Sequence, residues 1–293
     1  MKTFSTISDL RKARLALSGS FGLAPTMGYL HEGHLSLVRR AKAENDRVGV
    51  SIFVNPAQFG PNDDLSKYPR DMDRDLRLLE EAGVDLVWTP TSDIVYSPGF
   101  QTFVNVEHVS IPLEGKHRPG HFRGVATVVA KLFNVFTPDR AYFGQKDAQQ
   151  VIVIRRLASD LNFPLEIVVC STVREPDGLA MSNRNAYLNP EERKAATVLY
   201  RALSAAKGAF DKGERDATKL RTLMSSTIAN EPLARAEYVS AADADTLTEF
   251  NWVSSNVVLL SLAVRIGNTR LIDNFLLPET SNSKLQTPKS EPP

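Results

Sequence analysis

Ala24-Pro25-Thr26-Met27-Gly28-Tyr29-Leu30-His31-Glu32-Gly33-His34 decides how this chain folds. It reads as the end of a buried strand, a tight glycine turn and the first turn of a helix. Before it, Phe21 to Ala24 is a short apolar run. After it, Leu35, Val38 and Ala41 recur at roughly helical spacing, with Arg39, Arg40 and Lys42 on other faces. A strand-to-helix turn sets unpaired backbone N–H groups at a helix N-terminus, where the dipole favours an anion. Gly28 and Gly33 are expected to take backbone angles closed to other residues and to let a ligand approach. His31 and His34 sit beside that anion site. The constellation points to a nucleotide phosphate reacting near imidazoles. Two other readings stand beside it: an ordinary loop, and a metal-binding histidine pair, for which no further ligands stand out. The Gly-x-Gly-x-x-Gly dinucleotide pattern is absent.

The chain is 293 residues long, which favours two domains. Its 42% hydrophobic and 24% charged residues suit a soluble globular protein. A net charge of +1 gives no electrostatic case for nucleic acid or an acidic membrane. The lone Cys170 allows no internal disulfide, fits a reducing compartment and reads as a small buried hydrophobe. The N-terminus lacks the apolar core of a secretion signal, and no run of about 18 apolar residues exists. Cytoplasmic residence is the expectation.

Taken in order, residues 1–20 read as one helix, with Ile7, Leu10, Ala13/Arg14 and Leu17 on one face. Phe21–Ala24 is the first strand, and a helix is expected from His34 to about Asn45. Val48–Val54 is a continuous apolar run, as in a strand buried on both faces of a parallel sheet. The turn-rich loop Asn55–Asp64 follows it. A helix over Asp71–Ala82 and a strand over Val84–Trp88 complete a doubly wound pattern, in which ligands bind at the carboxyl ends of strands. Phe103, Val104 and Val106 suggest a short strand. Glu114–Gly124 reads as a basic glycine-bearing loop, either solvated surface or a flap that neutralises phosphates. A buried helix over Val125–Phe136, a strand over Ala141–Phe143, a helix from residue 147 to about 161 and a strand over Leu165–Val169 follow. Asp147 and Gln150 have capping-box spacing. Lys146 at that helix entrance, beside Gly144 and Gln145, is a point charge suited to phosphate.

A second signature, Leu179-Ala180-Met181-Ser182-Asn183-Arg184-Asn185, offers hydroxyl, amide and guanidinium groups able to hold a triphosphate. Asn189-Pro190-Glu191-Glu192 then opens a helix expected to run to about Gly208. A second helix over Ala217–Ala229 precedes strands near Glu237–Ala241, Val257–Val264 and Thr269–Asn274. The expected fold is a Rossmann-like α/β domain with a doubly wound parallel sheet over residues 1–173, then a small α+β C-terminal domain over 174–278. Residues 279–293 read as a disordered tail.

Together the motifs Pro25–His34, Phe53-Val54-Asn55-Pro56-Ala57-Gln58-Phe59, Gly144–Gln150 and Met181–Asn185 resemble the pantothenate synthetase family of the nucleotidylyltransferase superfamily. The resemblance covers the chain except its tail. It departs at Asn183, where the family usually carries a second Ser. It implies an ATP-dependent ligase joining pantoate to β-alanine through a pantoyl adenylate, with AMP and pyrophosphate released. It implies that Met27, Gly28, Tyr29, Leu30, His31, Glu32, Gly33 and His34 line the ATP site. Gly144, Gln145, Lys146, Asp147, Val173, Met181, Ser182, Asn183 and Arg184 join them, the smaller domain closing over the nucleotide. His34 corresponds to the family's proton donor, with His31 and Lys146 assisting catalysis. Gln58 and Gln150 are implied in pantoate binding and Gln58 in β-alanine binding. Magnesium is expected with ATP, without a dedicated protein metal site or tightly bound cofactor, and the family is homodimeric.

Three rival readings come from the residues. A nucleotidylyltransferase acting on a phosphate ester would call for Arg or Lys where Gln58 and Gln150 stand. A nucleotide sensor without turnover would not need His31, His34, Lys146 and Arg184 together. An RNA-binding synthetase fragment fits poorly with near-neutral charge.

Overall fold

The computed structural model describes residues 1–61, 63–254 and 257–278. The expected tail, 279–293, lies outside the described residues. The chain divides into two compact units. The first is Met1–Gly144 with Gln150–Cys170; the second joins Gln145–Gln149 to residues 171–278.

The first unit begins with β1 (Lys2–Phe4), α1 (Ile7–Leu15), β2 (Phe21–Thr26), α2 (Glu32–Glu44) and β3 (Arg47–Ile52). Then come α3 (Met72–Glu81), β4 (Leu86–Trp88), the short α4 (Ser92–Val95) and α5 (Glu114–His117), and α6 (His121–Phe136). β5 (Arg140–Gly144), α7 (Ala148–Asp160) and β6 (Glu166–Cys170) follow. The six strands form one parallel sheet in the order β1-β4-β3-β2-β5-β6. The chain leaves β2 towards β3 on one side and returns to β5 on the other. The switch point therefore lies between the carboxyl ends Thr26 and Gly144, where ligands bind in such sheets. Ala24, Val48, Val50 and Ile52 pack with Leu37, Val38 and Ala41 of α2 and Leu79 of α3. Phe136 of α6 stacks on Phe21 and meets Trp88 edge-on. Cys170 is buried, and burial pushes its thiol up to about 11, as suits a packing residue.

Five expectations are corrected. Residues 1–20 are not one helix: Lys2–Phe4 pair with Leu86–Trp88 as an edge strand, and Thr6 then caps α1 by accepting from the Asp9 N–H at 3.2 Å. A three-residue edge strand is too short to show a period. Residues 103–106 form no strand; the Val104 N–H is taken by the Thr127 hydroxyl at 3.0 Å. Glu114–Gly124 is not a loop but holds α5 and the start of α6. Gly124 serves close packing, since a Cβ there would lie 2.1 Å from the Ala57 carbonyl oxygen. Helix α2 starts at Glu32, so Gly33 is helical; the left-handed residues of the turn are Gly28 (φ 82°) and Tyr29 (φ 52°). The helix after Asn189 is interrupted, as described next.

In the second unit, α8 (Pro190–Ala195) is capped reciprocally by Asn189 and Glu192, as their spacing predicts. It stops at Ala196, and α9 (Val198–Asp211) starts afresh. α10 (Ala217–Ala229) and the antiparallel strands β7 (Ala234–Asp243), β8 (Val258–Ile266) and β9 (Thr269–Leu277) follow, in sheet order β7-β8-β9. Leu199, Leu203, Leu220 and Met224 from the helices share one core with Leu260, Leu262 and Val264. The helices thus cover an antiparallel sheet, the α+β arrangement expected from the element order.

Candidate functional site

In the first unit, β2 hands the chain to α2 through a turn several of whose backbone donors are taken. Gly28 N–H meets the Thr26 hydroxyl at 3.3 Å. Tyr29 and Leu30 N–H donate to the two carboxylate oxygens of Asp75, at 2.6 and 2.7 Å. His31 N–H donates to His34 Nδ1 at 3.3 Å, and Gly33 N–H to His31 Nδ1 at 3.1 Å. His34 and Leu35 N–H both reach the His31 carbonyl. At Tyr29 and Leu30 the amides expected to be unpaired are already paired. An internal anion, Asp75, already fills the Tyr29–Leu30 amide nest.

Asp75 is the residue that reading the sequence missed. It lies 45 positions beyond Leu30 and looks there like one more helix-surface acid, yet it is 1% exposed. Burial raises its carboxyl above the ordinary value, while the Leu30 and Tyr29 N–H groups and Arg74 pull the other way. Gly28 is needed here: a Cβ would come within 2.9 Å of Ile52 and 3.0 Å of Asp75.

The turn also carries two imidazoles. His31 is the N-cap of α2 and His34 its third residue, and the two form a capping box out of histidines. The rings stack, with centroids 4.1 Å apart. Both Nδ1 atoms accept backbone N–H groups, so each neutral ring carries its proton on Nε2. The pair supplies two N–H donors of fixed tautomer, the kind of group that stabilises charge gathering on a phosphoryl oxygen.

Gln58 ends a 3-10 turn over Pro56–Gln58, just past β3. Its Nε2 donates to Met27 Sδ at 3.2 Å, which joins two of the predicted site residues. Asn55 Nδ2 donates to Gln58 Oε1 at 2.9 Å, and Tyr96 donates its hydroxyl to Asn55 Oδ1 at 2.7 Å. The Gln58 carbonyl meets His121 Nδ1 at 2.8 Å. Arg118 reaches His121 Nε2 at 3.2 Å and Asp63 at 2.9 Å. Arg donates only, so a neutral His121 holds its proton on Nδ1, the tautomer opposite to that of the stacked pair. Gln150 lies in the first unit, on the first turn of α7.

In the second unit, Gln145–Asp147 form a 3-10 turn held by buried Asn274 of β9. Asn274 Nδ2 donates to the Gln145 and Lys146 carbonyls at 3.0 and 2.9 Å, and its Oδ1 accepts from Gln145 Nε2 at 3.0 Å. The Lys146 ammonium lies 3.7 Å from Asp147. Met181 N–H donates to the Val173 carbonyl at 3.0 Å, closing a loop stiffened by the Arg174–Ala180 bridge. Arg174 is clamped by Asp273 at 2.7 and 3.0 Å. Ser182 caps the 3-10 turn Asn183–Tyr187 by accepting the Arg184 N–H at 3.3 Å. Asn183 is buried and Arg184 half-buried. Among the described residues, no group of three or more His, Cys, Asp or Glu side chains could hold a metal ion, and no helix is long and apolar enough to cross a membrane.

A Rossmann-like parallel sheet whose first long strand runs into a His-x-Gly-His helix start is the α/β arrangement expected from the sequence. The profile of the pantoate-beta-alanine ligase family matches residues 2–276, and the chain belongs to that family. It is 64% identical over 277 residues to the pantothenate synthetase of Roseiflexus sp. (strain RS-1), covering 94% of this chain and 99% of that one. The crystal structure of pantothenate synthetase from Thermus thermophilus superimposes with a TM-score of 0.89 at 48% identity, over 94% of this chain and 99% of the other. A pantoate-beta-alanine ligase from Francisella tularensis, solved with beta-gamma ATP and beta-alanine, matches with a TM-score of 0.77 at 35% identity, over 94% and 97% of the two chains.

Proposed function

We propose that this chain condenses pantoate with β-alanine at the expense of ATP. The carboxylate of pantoate attacks the α-phosphorus of magnesium-bound ATP and pyrophosphate leaves. The amine of β-alanine then attacks the acyl carbon of pantoyl adenylate, and AMP leaves with the bond electrons. The stacked pair His31 and His34 carries this reading. Two imidazoles held as Nε2–H donors at the end of β2 suit negative charge building on phosphoryl oxygens and on departing pyrophosphate. His34 acts as proton donor, with His31 and Lys146 assisting. Met27–His34, Gly144–Asp147, Val173 and Met181–Arg184 bind ATP; magnesium arrives with the phosphates. Gln58 and Gln150 bind pantoate, and Gln58 also meets β-alanine. Neutral amides at 58 and 150 suit a hydroxy acid and not a phosphate ester, which supports the ligase over a nucleotidylyltransferase of phosphorylated substrates. The same reading includes a cytoplasmic homodimer.

Pyrophosphate release from ATP and magnesium tests it, with pantoate alone and then with β-alanine added. Multiple-turnover release with AMP only when both acids are present is the expected result. Sustained release that needs neither, or that needs a phosphate ester, would overturn it. His34→Ala is expected to abolish most turnover; near-normal turnover would remove His34 from the chemistry.

A further inference from the structure

Asn55 is 1% exposed and makes all four hydrogen bonds open to a side-chain amide. Its Oδ1 accepts from the Ala57 N–H at 3.3 Å and from the Tyr96 hydroxyl at 2.7 Å. Its Nδ2 gives one hydrogen to the Gly124 carbonyl at 3.2 Å and the other to Gln58 Oε1 at 2.9 Å. Two of these partners are backbone groups of fixed polarity, at 3.3 and 3.2 Å, so they set the sense of the amide, and the shorter Tyr96 bond holds it there. Two consequences follow. The Tyr96 hydroxyl has to donate. Gln58 has its oxygen turned to Asn55, so its NH2 group faces the other way; one hydrogen goes to Met27 Sδ and the second is available to a substrate oxygen.

Tyr96 gives the shortest of the four bonds, and its ring is held by Phe53 and Phe100, with centroids at 6.3 and 5.1 Å, and by the Lys131 ammonium 5.9 Å from its centroid. Burial pushes its hydroxyl up to about 12, so it stays protonated through the working range. We propose that Tyr96 is a positioning residue for the ligase reaction: acting through Asn55, it holds the Gln58 amide with NH2, and not oxygen, presented to the acid substrate. This rests on the reading above that Gln58 meets pantoate. The relay makes the site select an acceptor, a carboxylate or hydroxyl oxygen, at the Gln58 end of the substrate.

The test is steady-state kinetics of Tyr96→Phe, which removes one oxygen and leaves the ring packed. The KM for pantoate is expected to rise roughly five- to tenfold, one hydrogen bond's worth, with kcat and the KM for ATP within about twofold of wild type. Asn55→Asp still accepts from Tyr96 and Ala57 but cannot donate, so Gln58 turns its NH2 inward, and pantoate KM should rise further than in Tyr96→Phe. In a Gln58→Ala background, Tyr96→Phe should add nothing. If Gln58→Ala leaves pantoate KM unchanged, the reading beneath the relay is wrong. If Gln58→Ala raises it but Tyr96→Phe does not, the relay is wrong and that reading survives. A Tyr96→Phe effect that persists undiminished without the Gln58 side chain, or that lowers kcat and ATP affinity together, would mark Tyr96 as merely structural and overturn the proposal.

Discussion

Asp75→Asn asks whether an internal carboxylate holds the β2–α2 turn in shape. Asp75 receives two short backbone N–H bonds from Tyr29 and Leu30, and Tyr29 sits at φ 52°, a left-handed conformation costing a non-glycine residue about 1–2 kcal/mol. The asparagine keeps one acceptor and sets its NH2 against the other N–H. A buried donor left unsatisfied costs about 1–3 kcal/mol. Removing a charge that burial already disfavours offsets part of this, so a net loss of about 1–2 kcal/mol is expected near neutral pH. The pH dependence has a definite sign. The folded carboxyl pKa is raised, so its contribution to stability is full below the unfolded value and declines as pH rises through the folded one. The stability gap between wild type and variant should therefore narrow from acid towards neutral pH, across the window between the ordinary carboxyl value and the raised one. Urea unfolding at several pH values measures the gap, and amide exchange at Tyr29 and Leu30 localises it. Because His31 follows directly, turnover should fall as well. An unchanged urea midpoint with Tyr29 and Leu30 still protected would refute the clamp.

Three further outcomes are expected. Gly124→Ala puts a Cβ 2.1 Å from the Ala57 oxygen and 2.6 Å from the Gln58 nitrogen, so the Pro56–Gln58 turn must shift; thermal melts should show a loss of about 1–3 kcal/mol, with weaker pantoate binding. Asp273→Ala leaves Arg174 without its two-pronged carboxylate partner, 2% exposed in the wild type, and should cost about 3–5 kcal/mol in denaturant unfolding. Glu237 is pushed up by burial, but Arg270 and Arg265, bonded at 2.7 and 2.6 Å, outweigh that and hold its carboxyl below the ordinary value. Its contribution is present above the unfolded pKa and lost as pH falls through the folded one, so Glu237→Gln should flatten the acid side of the stability curve.

Much of the fold was legible because periodicity reports burial directly. The apolar run that starts at Val48 forms β3, which ends at Ile52 and is buried along nearly its whole length, and Asn189-Pro190-Glu191-Glu192 caps a helix through contacts three residues apart. The misreadings share one cause. Lys2–Phe4 is a strand only because Leu86–Trp88 lies beside it. Gly115 and Gly124 resemble loop glycines, but each marks a place where helix and neighbouring backbone nearly touch, at Ser110 and Ala57. The histidines of the candidate site were legible because His31 and His34 stand in one short motif at the start of their own helix. Asp75 and Tyr96 were not, because each acts on a partner more than forty residues away.

The sequence by itself determined the alternation of strands and helices, the parallel sheet it implies, the His-x-Gly-His helix start and the family. All of these rest on interactions between near neighbours or on patterns that survive in one dimension. Tertiary structure alone decided which groups satisfy the turn. It set the Asp75 carboxylate against the Tyr29 and Leu30 N–H groups, set the ring protons of His31 and His34 on Nε2, and turned the Gln58 oxygen towards Asn55. A hydrogen bond's polarity depends on which atom the fold brings to within 3 Å, and no local pattern encodes that.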